Sequence, residues 1–79
     1  MFDASRIQEH MEVIGADGGH LGTVDKVEGD RIKLTKSDRG SGGAHHYLPL
    51  DTVEDVDGGK VRLSMNADIA SRMWEAGEA

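Results

Sequence analysis

Val24-Asp25-Lys26-Val27-Glu28-Gly29-Asp30-Arg31-Ile32-Lys33-Leu34 aligns without gaps on Val53-Glu54-Asp55-Val56-Asp57-Gly58-Gly59-Lys60-Val61-Arg62-Leu63, at an offset of 29 residues. Each copy has a pair of valines, an acidic residue before a glycine-containing turn, a base after it, and then alternating aliphatic and charged side chains. Period-two patterning around a two-residue Gly turn specifies a β-hairpin. Counting outward from Gly29-Asp30 sets Val27 opposite Ile32, and counting from Gly58-Gly59 sets Val56 opposite Val61, so both pairs belong in the core. The valines within each copy are three apart, which on a regular strand would put them on opposite faces. A β-bulge between Val24 and Val27, and another between Val53 and Val56, returns both valines to one face and bends each strand enough for a small sheet to close. Two units are too few for a solenoid.

Outward from the repeat, the same periodicity predicts a strand in which Met11, Val13 and Gly15 alternate with Glu12, Ile14 and Ala16, ending at Asp17-Gly18-Gly19. Further strands are expected over 21–28, 31–36, 45–50, 52–57 and 60–64, with Pro49 confined to a strand end or edge. Residues 37–44 contain Gly40, Gly42 and Gly43 between serines and read as a flexible loop. Both ends read as helical. Over 3–11, Ile7 and Met11 fall four apart, with Asp3 or Ser5 as cap. Over 67–79, Asn66 is the N-cap, Asp68 suits the helix dipole, and Ile69 and Met73 form a stripe with Ala70 and Trp74 beside them. The whole chain, 1–79, is therefore one domain: a helix, a β unit over 12–64 and a terminal helix. Its expected core is Val13, Leu21, Val24, Val27, Ile32, Leu34, Leu48, Leu50, Val53, Val56, Val61 and Leu63.

A chain of 79 residues buries only about 60% of the surface its unfolded form exposes, and Ile, Val, Leu and Phe make up roughly one residue in five, at the border of disorder. Folding depends on patterning. Nine Lys and Arg against 15 Asp and Glu leave a net charge of −6, which disfavours a nucleic-acid partner. There is no Cys, so disulfides, thiolate zinc sites and cysteine nucleophiles are excluded. No apolar run is long enough to span a membrane and the N-terminus lacks signal-peptide layout, so a soluble, cytoplasmic protein without membrane contact is expected.

The run Asp17-Gly18-Gly19-His20-Leu21-Gly22-Thr23-Val24-Asp25-Lys26-Val27, followed by Leu48-Pro49-Leu50-Asp51-Thr52-Val53 and Val56-Asp57-Gly58-Gly59-Lys60-Val61, resembles the PRC-barrel domains. That superfamily includes the cytoplasmic domain of photosynthetic reaction centre H subunits and a domain of a bacterial ribosome maturation factor. With Ile7-Gln8-Glu9-His10-Met11-Glu12-Val13 and His45-His46-Tyr47-Leu48-Pro49-Leu50 included, nearly the whole chain is similar to a family of small bacterial proteins of unknown function. The resemblance implies a mainly β fold, a small six-stranded antiparallel PRC-type β-barrel with short terminal helices. Because characterised superfamily members act as docking or assembly modules, it also implies binding rather than catalysis.

The residues themselves offer little catalytic chemistry. None of Ser5, Ser37, Ser41, Ser64 and Ser71 sits in a strand-to-helix elbow with a His and an acid, and the carboxylates are dispersed, so no enzyme and no cofactor are expected. Asp55-Val56-Asp57-Gly58 opens like a calcium loop but has Gly59, Lys60 and Asn66 where ligands and the turn glycine belong. Gly40-Ser41-Gly42-Gly43 precedes a strand rather than the helix a phosphate cradle needs. His45 and His46 point to opposite faces of a strand, so a metal site would need one of them to converge with His10, His20, Asp17 or Asp25. The expected activity is a non-catalytic protein-interaction or assembly module, with a protein partner or a homodimer through the terminal helices. Its contact residues are His20, His45, Tyr47, Ile69, Met73 and Trp74. The alternative is a small metal- or ligand-binding protein using His20, His45 and His46.

Overall fold

A computed structural model describes residues 4–35 and 45–76. The chain runs through a 3-10 turn (Ala4–Arg6), β1 (Glu12–Ile14), β2 (His20–Glu28), β3 (Arg31–Leu34), β4 (His46–Pro49) and a second 3-10 turn (Leu50–Thr52). It continues through β5 (Val53–Asp57), β6 (Lys60–Leu63), α1 (Ala67–Met73) and the two-residue β7 (Glu75–Ala76). Both copies of the repeat are hairpins with the expected register. Glu28, Val27 and Lys26 face Arg31, Ile32 and Lys33, after which the ladder skips Asp25 and resumes with Val24 opposite Leu34. Asp57, Val56 and Asp55 face Lys60, Val61 and Arg62, and the ladder skips Glu54 before Val53 meets Leu63. The bulge falls at the same place in both copies, and it leaves Val24, Val53 and Val56 buried. Gly58 and Gly59 both have positive φ, 60° and 78°, as a primed hairpin turn requires.

The strands form one sheet in the order β5-β6-β1-β2-β3-β4-β7. The first half of the nine-residue β2 pairs with β1 and its second half with β3, so one bent strand joins the two halves of the sheet. A single buried cluster takes Val13, Leu21, Val24, Ile32, Leu34, Leu48, Val53, Val56, Val61 and Leu63 from β1 to β6, with Ile7 and Ala70 closing it. Of the expected core, Val27 and Leu50 are only partly buried. Ile14 is buried but lies outside the cluster, on the outer face.

The sheet is open and mixed, which corrects the expected six-stranded, partly closed antiparallel barrel. β1 runs parallel to β6, while the other pairs are antiparallel. The two edges of β4 are taken by β3 and β7, so β4 offers no edge on which β5 could close the ring. Among the described residues β5 pairs with β6 alone.

Both ends also differ from expectation. Among the described residues no α-helix precedes β1, which corrects the helix expected over 3–11. The 3-10 turn is followed by a chain that His10, at φ 72°, redirects into the sheet. The His10 N–H donates to the Val24 carbonyl and the Val24 N–H to the Met11 carbonyl, at 2.8 and 2.9 Å, so these backbone groups serve the bulged region of β2 instead of a helix. The terminal helix has seven residues and stops at Met73, because Trp74 turns extended (φ −63°, ψ 146°) and the next two residues pair with Tyr47 and His46. Residues 77–79 of the expected helix and the loop over 37–44 lie outside the described residues.

Candidate functional site

The start of α1 is held by β1 and the turn after it. Asn66 occupies the N-cap position but makes no side-chain cap. Asp17 Oδ1 accepts instead from the Ala67 N–H, 50 residues along the chain, and from the Gly19 N–H, at 3.3 and 3.2 Å. These backbone donors, Gly19 foremost, hold the Asp17 carboxyl below its ordinary range. The Ala16 N–H donates to the Met65 carbonyl at 2.8 Å. At Gly15 the two chains approach so closely that a Cβ would overlap the Ala67 nitrogen and lie 2.8 Å from the Asn66 carbonyl carbon. So anchored, α1 buries Ala70 completely and presents Ile69 and Met73, four residues apart, at 45% and 52% exposure. Trp74 is half-buried, its ring stacked on His46 with centroids 3.9 Å apart and planes within 6°.

The histidines do not converge. His20 Nδ1 lies 2.8 Å from Glu12 Oε2, and Lys60 Nζ lies 3.3 Å from the other oxygen of that carboxylate. The His20 hydrogen bond, with Lys60 assisting, lowers the Glu12 pKa. His45 Nδ1 is 2.9 Å from the Leu34 carbonyl oxygen and 4.0 Å from Asp25 Oδ2. His46 lies under Trp74. Among the described residues no group of three His, Asp or Glu side chains is placed to hold a metal ion. His20, His45 and Tyr47, expected to share one contact surface, each take different neighbours.

Tyr47 belongs to an arrangement that the sequence reading missed. It stands opposite Lys33 across β3–β4, and Lys33 stands opposite Lys26 across β2–β3. The Arg31 guanidinium lies 5.1 Å from the Tyr47 ring centroid. On the other half of the sheet, Ile14, Asp55, Asp57, Lys60 and Arg62 line a depression of about 110 Å³. Its opposite charges face each other in the β5–β6 ladder as Asp57–Lys60 and Asp55–Arg62. Counting from the hairpin turns would have found the Lys26–Lys33 pair and the two acid–base pairs, since cross-strand pairing in a hairpin follows from turn length, but not the place of Tyr47.

A bacterial family described as "Uncharacterized protein conserved in bacteria" (DUF2171) matches residues 7–71. The chain belongs to this family. The DUF2171 match spans both hairpins, Gly15, the four histidines, Tyr47 and Ile69, and ends before Met73 and Trp74. No curated protein and no solved structure matches the chain. Among the described residues no helix is long and apolar enough to cross a membrane.

Proposed function

We propose that this DUF2171 domain is a non-catalytic interaction and assembly module that associates with a second copy of itself through the outer face of α1. The observation that carries the reading is the exposure of Ile69 and Met73 on a short helix whose opposite side, at Ala70, is fully buried. Burying one such side chain contributes about 1.5–3 kcal/mol before association costs, and a two-fold axis doubles the contact because each copy contributes the same residues. Asp68 and Arg72 flank the pair on the same helix. Antiparallel packing of two α1 helices brings Asp68 of one copy towards Arg72 of the other, which favours a second copy as the occupant. The sequence resemblance to PRC-barrel domains, whose characterised members dock or assemble, points the same way. His20, His45 and His46 each already engage a neighbour of their own, which favours binding over metal chemistry.

Light scattering over a concentration series tests the reading. The native chain is expected to dimerise with increasing concentration, and the variant Ile69→Glu, Met73→Glu to stay monomeric with an unchanged melting midpoint. A native chain that remains monomeric into the millimolar range, or a dimer that survives the double substitution, overturns it.

A further inference from the structure

The outer face of β2–β3–β4 concentrates positive charge in a chain whose net charge is −6. Lys26, Lys33 and Tyr47 form one continuous cross-strand row, which β7 extends with Glu75 by register. Their in-strand neighbours Ile32 and Leu48 are fully buried, so the row stands on the side away from the core. Arg31 lies against the Tyr47 ring from the next row. Within the face Glu28 answers these cations: it lies 3.2 Å from Lys26 Nζ, and Lys26 first, then Lys33 and the Tyr47 hydroxyl, lower its pKa. Glu28 is thus set among three cations, Lys26, Arg31 and Lys33, with Glu75 at the far end of the row.

Two lysines directly opposite each other in a ladder repel. Glu28 offsets part of that cost from the Lys26 side, and a further anion seated between the two ammonium groups offsets the rest. Arg31 and Lys33 are alternate residues of one strand, about 7 Å apart, the same spacing that separates alternate side chains of an extended peptide. A half-buried tyrosine between them supplies a flat contact of the kind enriched in interfaces. A nucleic acid brings a denser field of negative charge, which the remaining acidic surface of this chain repels.

We infer that this face binds an acidic, extended polypeptide segment of another protein, whose carboxylates seat between Lys26 and Lys33 and on Arg31 while its backbone crosses Tyr47. The face shares no residue with the Ile69–Met73 pair, so the assignment does not rest on self-association.

Fluorescence anisotropy tests the assignment with a fluorescein-labelled peptide of alternating Glu and Ser, the same peptide with Gln in place of Glu, and a labelled oligothymidylate. Saturable binding of the Glu peptide is expected, weakened about tenfold by Lys33→Gln and by Arg31→Gln and lost in about 1 M salt, where screening reaches ~3 Å. Lys33→Gln is expected to leave the melting midpoint unchanged, and Ile69→Glu to leave binding unchanged. Equal binding of the Gln peptide, or native-like binding by Lys33→Gln, overturns the assignment. Tighter binding of the oligothymidylate also overturns it, and gives the face to nucleic acid.

Discussion

Replacing Gly15 with alanine tests how the terminal helix is joined to the sheet. The added methyl group would overlap the Ala67 nitrogen and lie 2.8 Å from the Asn66 carbonyl carbon, and both are backbone atoms that cannot rotate away as a side chain can. Either β1 or the start of α1 must shift. Overpacking of this kind costs about 1–3 kcal/mol, and losing the Ala16–Met65 backbone hydrogen bond adds about 1 kcal/mol. Against this, alanine restricts the unfolded chain and returns about 0.4–1 kcal/mol. The net loss of about 1–3.5 kcal/mol lowers the melting midpoint by roughly 5–25 °C in a domain of this size. Thermal unfolding followed by far-UV circular dichroism measures it, and Trp74, the single tryptophan, reports by fluorescence whether α1 detaches first. Gly18→Ala is the control: a Cβ there meets nothing within 4 Å, and only its φ of 84° opposes the change, at about 1–2 kcal/mol. A Gly15→Ala midpoint within about 3 °C of native, on the same scale, or above that of Gly18→Ala, would refute the close approach.

Leu48→Ala removes a fully buried side chain from the shared cluster and is expected to cost about 2–5 kcal/mol in urea unfolding; a loss under about 1 kcal/mol would show that the two halves do not pack on one core. A double-mutant cycle of His46→Ala and Trp74→Ala is expected to give a coupling of about 0.5–1.5 kcal/mol, and additive losses would remove the stacking contact. Glu12, Asp17 and Glu28 all have folded pKa values below their ordinary ones. Their contribution to stability is therefore complete above the unfolded carboxylate range, near pH ~4, and is lost as pH falls through the depressed folded values. Melting midpoints are expected to drop through that acid window, with a shallower slope in Asp17→Asn; equal slopes would show that Asp17 makes no differential contact.

Local patterning made the two hairpins legible from residue order alone. The three-residue spacing of Val24 and Val27, and of Val53 and Val56, cannot put both valines on one face of a regular strand, and the structure places a bulge within each interval. Turn length then sets register, so Val27–Ile32 and Val56–Val61 pair as counted. The same count places Lys26 opposite Lys33, although Tyr47 joins that row only through the β3–β4 pairing.

Patterning does not say which strand a neighbour will be or in which direction it runs. The parallel pairing of β1 with β6, the open edge of β5 and the capture of Glu75–Ala76 by β4 depend on where remote backbone donors and acceptors find partners. Residues 3–11 have helix-forming composition, but the His10 N–H and the Met11 carbonyl bond to Val24. Asn66 stands at the cap position, yet Asp17 does the capping. The exposure of Ile69 and Met73 was likewise a tertiary outcome: the helical stripe was visible in sequence, but only the docking of α1 through Ala70 decided which side faced inward. Residue order determined this protein's hairpins, their bulges and their facing pairs, because those follow from spacing within a few residues. The tertiary structure decided the sheet's topology and the exposed surfaces, because those follow from contacts between remote segments, such as Asp17 with Ala67, 50 residues apart.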